Sequence, residues 1–270
     1  MPRPWRPTRR CSRPSSTCAS KAMDRLIYTA LSGLDARSRA QQVTANNLAN
    51  AGTPGFRREL IAAEGRYLDG DSAVSRAQAG APSVTTPDDP GRITITGRPL
   101  DIALAGDAWL ALQGPVVGGV PTETYSRRGD LSVSVGGVLQ TGDGKAVLNA
   151  GGSPVTIPAG ASLDIAADGG LSVRIGDAFT SLGKLKLVAG AGLKDLDKGL
   201  DGQFTTKTPL PVDRAATLTT GALENSNVQT AGALTELVEQ SRGFEVNARL
   251  LGLAKDIDER TARLMALDSQ

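Results

Sequence analysis

The chain has no histidine, and both of its cysteines, Cys11 and Cys18, lie in a short N-terminal leader. The lack of histidine excludes Ser-His-Asp catalysis, Cys-His catalysis and histidine-ligated metals. Because no cysteine follows the leader, the rest of the chain has no disulfide framework and no cysteine zinc site. No stretch approaches the roughly 18 apolar residues that a membrane-spanning helix requires.

The leader, residues 1–22, carries an uneven share of the charge. It holds six basic residues and no acidic one. Removing those six from the total of 30 leaves 24 basic against 28 acidic residues, so residues 23–270 carry a net charge of −4. Beyond the leader, the sequence therefore gives no support for nucleic-acid binding. The leader also lacks the apolar region of a secretory signal peptide. We interpret it as a mis-called start before Met23 or a disordered segment; a transit peptide and a basic interaction tail are the alternatives.

Two amphipathic helical patterns lie at opposite ends of the chain. Residues 23–50 and 228–267 repeat apolar or small residues at steps of three and four, the a/d spacing of a heptad. The larger apolar members of these two stripes are Ile27, Leu31, Leu34, Leu48, Leu234, Leu237, Phe244 and Leu251. Other stripe positions are small or polar and bury little area at roughly 25 cal/mol per Å². We therefore expect the termini to pair with each other or with neighbouring subunits and to become ordered mainly on assembly; packing on the protein's own sheet is the alternative.

The sequence between the two helical patterns is rich in glycine, threonine and valine. Short alternating runs bounded by glycine, aspartate or proline predict an antiparallel β domain over residues 92–206. Residues 57–91 and 207–227 are interpreted as extended connectors. The fold class predicted is α+β, mainly β, in which the helical segments 23–56 and 228–270 pair as a coiled-coil-like core.

The β domain has few aromatic residues to line a ligand pocket. We expect those it has to lie in the core: Trp109, Tyr125, Phe179 and Phe204. Residues 195–202 resemble a calcium loop, but Leu200 stands where the turn requires glycine. Residues 142–145 lack the spacing of a phosphate loop and predict a hairpin turn. No catalytic, metal-binding or cofactor-binding set emerges, so we expect no enzyme activity and no cofactor.

The end of the first helical pattern carries the most specific motif of the chain. Residues 45–57 read ANNLANAGTPGFR and resemble the N-terminal signature of bacterial flagellar rod and hook proteins, ANNLAN-x-x-T-x-GF-[KR]. Gly55 permits a sharp exit from the turn, and Phe56 anchors the turn by burial. Three amides lie near the helix end, where they can bond exposed backbone groups or a neighbouring chain: Asn46, Asn47 and Asn50.

Further segments resemble the same family. Residues 221–247 are similar to its motif G-x-LE-x-SNV…R-x-FE-x-N, with Ser226 or Asn227 as a candidate N-cap of the last helix. Residues 98–110 resemble its RPLD-[VI]-AL-x-GD-G-[FW] segment, and residues 125–131 its YTR-x-G-x-[FL] segment. Together, these matches cover the chain from the end of the leader almost to the last residue.

The resemblance implies a structural subunit of the flagellar basal-body rod that transmits motor torque. The opening, residues 23–33, is most similar to the proximal-rod branch; a distal-rod or hook-like subunit is the alternative, and a secreted β-rich binding module is more remote. The resemblance also implies export through the flagellar type III apparatus and assembly in the periplasm with other rod subunits and with itself. No nucleic acid and no direct membrane insertion are expected in this helical assembly.

The same resemblance places the terminal helices in the inner core of a helical tube and the β domain in an outer layer. The residues expected in the assembly interface are Ile27, Leu31, Leu34, Asn46, Asn47, Leu48, Asn50, Gly55, Phe56, Leu234, Leu237, Phe244 and Leu251.

Overall fold

Two long helices flank a series of short strands along the chain in the computed structural model. It describes residues 16–62, 65–68, 76–79, 83–87, 89–117, 119–176, 178–190, 198–206 and 208–267. Helix α1 spans Ser16–Ala49 and helix α2 spans Thr230–Leu267. The chain divides into two compact units. One holds the described residues within 1–42, 61–83 and 236–270, and the other those within 43–60 and 84–235.

The strands of the first half are β1 (Leu60–Ala62), β2 (Gly65–Leu68), β3 (Arg76–Ala79), β4 (Ser83–Thr85), β5 (Ile93–Ile95), β6 (Ile102–Leu104), β7 (Ala108–Val117), β8 (Val120–Ser126) and β9 (Leu131–Val133). Those of the second half are β10 (Leu139–Thr141), β11 (Ser162–Ile165), β12 (Gly170–Ile175), β13 (Ala178–Lys184), β14 (Leu187–Ala189), β15 (Phe204–Thr206), β16 (Leu218–Thr220) and β17 (Ala222–Glu224).

Helix α1 begins at Ser16, ahead of Met23, where the amphipathic pattern starts. Pro14 is the last proline before this point, and the alanine and lysine residues that follow favour a helix. The helix ends at Ala49, in agreement with the sequence, because the turn over residues 50–55 contains one proline and two glycines.

The predicted N-cap of α2 is wrong. The helix begins at Thr230, later than either candidate. The Ser226 hydroxyl accepts the Val228 N–H at 3.2 Å. The Asn227 side-chain oxygen accepts the Arg58 N–H at 2.6 Å, so it is engaged by the segment between α1 and β1.

The unit that contains most of both helices covers their apolar stripes only in part. Leu34, Leu237 and Leu251 are half-buried, whereas Leu31 remains 51% exposed. At one point the helices are in contact, since a Cβ built on Gly243 would lie 2.2 Å from Nη1 of Arg37. The predicted coiled-coil-like pairing along the whole stripe is not confirmed. No helix in the described part of the chain is both long and apolar enough to cross a membrane.

The second unit is an antiparallel β domain, as predicted. A four-stranded sheet has the order β14-β7-β8-β15, and β11, β12 and β13 form a three-stranded sheet. The first half of strand β7, residues 108–112, is buried on both faces, and its alternating side chains enter two apolar clusters. Leu110 and Leu112 join one apolar cluster, while Trp109 and Ala111 join another. In the second cluster, the rings of Trp109 and Phe204 meet edge to face with centroids 5.0 Å apart.

Two features of this domain differ from the sequence prediction. The expected return connector contains strands β16 and β17, which pair with β6 and β5. Phe179 was expected in the core but is 71% exposed. Its cross-strand partner is the exposed Arg174. Val173, which pairs with Thr180, is buried on the opposite face of the sheet. The side chains of directly paired residues share a face, so pairing with an exposed arginine places Phe179 outside.

Candidate interaction site

The amides at the end of α1 bond backbone groups of the same chain, which is one of the two roles that the sequence predicts for them. Asn47 exchanges two hydrogen bonds with Glu59: its Nδ2 donates to the carbonyl at 2.8 Å, and its Oδ1 accepts the N–H at 2.9 Å. Asn46 Nδ2 donates to the Leu200 carbonyl at 3.0 Å. Asn50 Nδ2 donates back to the Asn46 carbonyl at 3.0 Å. The helix end is therefore fixed both to the segment just before β1 and to a distant loop.

Gly55 occupies a position that only glycine fits. Its φ is +69°, in the left-handed region, and a Cβ there would lie 2.3 Å from the Arg127 carbonyl oxygen. Its N–H donates to the Glu224 carbonyl at 2.7 Å. The turn after α1 thus approaches two other segments of the domain closely.

Phe56, the next residue, is buried as predicted and is 3% exposed. The Lys198 ammonium lies 4.0 Å from its ring centroid, within cation–π range. On another side, a Cβ at Gly202 would lie 2.7 Å from the ring. The loop of residues 198–202 therefore encloses the aromatic anchor.

Lys198 binds the same turn through polar contacts. Its Nζ donates to the Arg57 carbonyl at 2.6 Å and pairs with Glu59 Oε1 at 3.0 Å. Burial lowers the pKa of the Lys198 ammonium, and the Glu59 carboxylate opposes that shift. The lysine remains paired rather than isolated in the interior.

A buried cluster of charges joins three of the family-like segments. Arg57 Nη2 lies 3.0 Å from Glu224 Oε1, and Arg127 Nη2 lies 2.8 Å from Glu224 Oε2, with all three side chains 2% exposed. The Gly91 N–H donates to Glu224 Oε1 at 2.9 Å. Arg127 also donates to the carbonyls of Leu104, Gly106 and Ala108 at 2.7 to 2.9 Å. Such hydrogen bonding offsets the cost of burying the charges.

Asn227 completes this set of contacts, which we call the signature junction: residues 46–59, Arg127, residues 198–202 and residues 224–227. The Asn227 side chain accepts the Arg58 N–H at 2.6 Å and donates to the Asp89 carbonyl at 2.8 Å. The junction therefore connects the segment after α1, the segment before α2 and the β domain. The charged and amide groups of these contacts bond other parts of the chain, so their role is to hold the segments in place.

The expected interface residues divide between this junction and the helices. The asparagines, Gly55 and Phe56 lie in the junction, with Leu48 half-buried beside them. On the helices, Leu234 and Phe244 are exposed, as is Leu31. The side chain of Ile27 lies outside the described residues. Whether any of these residues contacts a neighbouring subunit stays a prediction.

Sequence reasoning missed the charged residues of the junction. All three lie within the family-like motifs: Arg57, Arg127 and Glu224. The feature that could have indicated their burial is a charged residue next to buried positions in the sequence. Lys198 gave no signal, since its partner Arg57 is 141 positions away in sequence. In the described part of the chain, no cluster of acidic residues could hold a metal ion. Residues 195–197 of the calcium-like segment lie outside it.

Two family models match the ends of the chain. Residues 27–57 match that of the flagella basal body rod protein, and residues 219–264 match that of the flagellar basal body rod FlgEFG protein C-terminal. These two ranges contain Arg57, Glu224 and Asn227 of the signature junction.

Curated relatives match along nearly the whole chain. The identity is 35% over 257 residues to the flagellar basal-body rod protein FlgF of Salmonella typhimurium, covering 91% of this chain and 100% of that protein. FlgF of Escherichia coli gives the same identity and coverage, 35%, 91% and 100%. The flagellar basal-body rod protein FlgG of Bacillus subtilis is 28% identical over 267 residues, covering 90% of this chain and 99% of its own length.

Proposed function

Because the chain belongs to the flagellar basal-body rod protein family, we propose that this FlgF-like structural subunit of the rod occupies the proximal rod and assembles through its terminal helices. The opening, residues 23–33, resembles the proximal-rod branch, which is the FlgF kind. The identity of 35% to two FlgF proteins, against 28% to a FlgG protein, supports the same position. The family is structural rather than enzymatic. A distal-rod or hook-like position is the alternative.

The signature junction is the observation that carries this proposal. A rod subunit can transmit torque only if the segments that lead into its helices are held firmly on the β domain. The segment after α1 and the segment before α2 are both fixed to the β domain by the buried carboxylate of Glu224 and the arginines on either side of it. Breaking such a buried ion pair costs about 3–5 kcal/mol, so the junction resists separation of these segments.

Exposed apolar residues of α2 support assembly through the helices. Val246, Leu250 and Leu253 are each more than half exposed and follow the i, i+4, i+7 spacing of one helix face. Leu251, which is half-buried, lies on a different side of the same helix. Contiguous exposed apolar surface is typical of interaction sites. We propose that helices of neighbouring subunits cover this face in the rod.

The route to the rod is proposed from family membership. Subunits pass through the flagellar type III export apparatus and join other rod subunits where the basal body spans the periplasm. Repeated head-to-tail contacts that do not close on themselves then build a helical tube.

Site-specific photo-crosslinking in motile cells tests the position and the interface together. A photoreactive residue at Val246 should crosslink to rod subunits, while one at Phe179, an exposed residue of the β domain, serves as the control. Crosslinks from Val246 to proximal-rod subunits support the proposal. Crosslinks to hook subunits favour the alternative position, and a Val246 position that forms no crosslinks contradicts assembly through α2.

A further inference from the structure

An open cleft of about 300 Å³ lies beside the signature junction. Three segments line it: Arg58 after α1, residues 89–92 before β5, and residues 226–229 before α2. All of these residues belong to the unit that contains the β domain. The cleft is polar and positively charged, since it presents two guanidinium groups, of Arg58 and Arg92, against the single carboxylate of Asp89.

The two guanidinium groups have capacity to bind a further carboxylate. Arg58 Nη2 approaches Asp89 Oδ2 only to 3.5 Å, longer than a strong charge-assisted bond. Arg58 Nε is buried and has no hydrogen-bond partner within the described part of the chain. Arg92 is exposed, and no described carboxylate forms an ion pair with it. An arginine pair of this kind suits bidentate binding of a carboxylate.

The backbone that carries these arginines is already fixed. The amide of Asn227 bridges the Arg58 N–H and the Asp89 carbonyl. The Gly91 N–H donates to Glu224 Oε1 at 2.9 Å, and a Cβ at Gly91 would lie 1.8 Å from the Asn225 carbonyl oxygen. Because the cleft walls are held before binding, little backbone ordering opposes the entry of a ligand.

We propose that this cleft receives a glutamate side chain of helix α2 from a second copy of the chain. The proposal rests on the self-assembly argued above. Residues 230–245 carry Glu236, Glu239 and Glu245, all exposed and without an ion pair in the described residues, against the single basic residue Arg242. The acidic start of α2 thus complements the basic cleft. Such complementarity sets the register and the choice of partner between subunits.

Charge reversal in a strain that lacks the native gene tests the proposal. Arg92→Glu should reduce the number of intact rods by about tenfold or more, because attraction is replaced by repulsion at the contact. Arg92→Lys, which keeps the charge, should retain most of the rods. Arg174→Glu is the control: it reverses another exposed arginine on β12 and should leave rod number unchanged.

The partner is identified by rescue. Glu236→Arg, Glu239→Arg and Glu245→Arg are each combined with Arg92→Glu, and one combination should restore rods while its single glutamate variant lacks them. Thermal unfolding of the purified variants separates a folding defect from an assembly defect. If Arg92→Glu impairs folding, Arg92→Gln provides the same test without repulsion.

Normal rod number with folded Arg92→Glu or Arg92→Gln overturns the proposal, as does the failure of all three rescues. Neither result affects assembly through the apolar face of α2, which the Val246 crosslinks test separately.

Discussion

At the scale of single residues, Glu224 is the group on which the signature junction depends most. Its carboxylate pairs with two arginines and accepts the Gly91 N–H, and the side chain is 2% exposed. Removing this carboxylate leaves the guanidinium groups of Arg57 and Arg127 buried without their counter-charge.

We therefore expect Glu224→Ala to lower the free energy of unfolding by about 3–5 kcal/mol. Urea unfolding of the purified protein measures this. Glu239→Ala, at an exposed position of α2, is the matched control and should change stability by less than about 0.5 kcal/mol. Equal losses of unfolding free energy in the two variants would show that the buried charges do not stabilise the signature junction.

Gly55 and Gly144 form a matched pair for testing the turn after α1. Both have positive φ, +69° and +82°, but a Cβ at Gly55 would lie 2.3 Å from backbone atoms, whereas Gly144 has open space around it. Gly144→Ala should cost about 1 kcal/mol from backbone strain alone. Gly55→Ala should cost clearly more, because the clash adds to the same strain. The denaturant midpoints of the two variants measure this difference. Equal midpoints would contradict the close approach of Gly55 to the Arg127 backbone.

Tyr125 gives a prediction for alkaline pH. Burial, followed by the hydrogen bond to Glu123, raises the pKa of its phenol from 10.0 to about 12. The folded protein therefore holds this proton more tightly than the unfolded chain does. This contribution is complete below pH 10 and disappears as the pH rises towards 12.

Unfolding free energies measured between pH 9 and pH 12 should fall by on the order of 2 kcal/mol from this group. Tyr125→Phe should be less stable at pH 9, since the hydrogen bonds are lost, but should lack this part of the alkaline decline. An unchanged alkaline slope in Tyr125→Phe would show that the phenol does not cause it.

At the scale of elements, we expect the helices and the β domain to have separable roles. Leu34 and Leu251 are half-buried on α1 and α2, within the stripes that the heptad spacing predicts. The core of the β domain draws on neither of them.

Leu34→Asp or Leu251→Asp should block rod assembly while the β domain stays folded, because a carboxylate in the seam costs several kcal/mol when subunits pack around it. Electron microscopy of basal bodies measures the first effect and near-ultraviolet circular dichroism the second. Asp substitution at the exposed β-domain residue Ile175 is the control. Normal rods from both stripe variants would show that the stripes are not assembly surfaces.

The elements that could be predicted from the sequence are those specified by local signals. The two helices follow from heptad spacing, the end of α1 from its proline and glycine, and the β domain from alternation and turns. Strands β16 and β17 could not be predicted, because they form only by pairing with distant partners such as Leu104 with Leu218. The same reason applies to Lys198 and Phe179, whose surroundings depend on chain register rather than on local pattern.

At the scale of the whole molecule, the signature junction is held together within the monomer, whereas the apolar faces of the helices are only partly covered. Residues 46–59 are held by hydrogen bonds and buried charges, whereas α1 and α2 expose apolar residues that nothing in the described chain covers fully. Ordering a helix costs roughly 1–2 kcal/mol per residue of backbone, so incomplete burial leaves the helices marginal. We expect neighbouring subunits to supply the missing contacts in the rod.

Hydrogen exchange on the purified monomer and on isolated basal bodies tests this claim most directly. In the monomer, we expect residues 23–42 and 236–267 to exchange within seconds, while residues 46–59 and the β domain exchange slowly. In basal bodies, both helices should become protected. Strong protection of both helices in a proven monomer, with no further change in the rod, would contradict assembly-coupled ordering and indicate a self-contained globular protein.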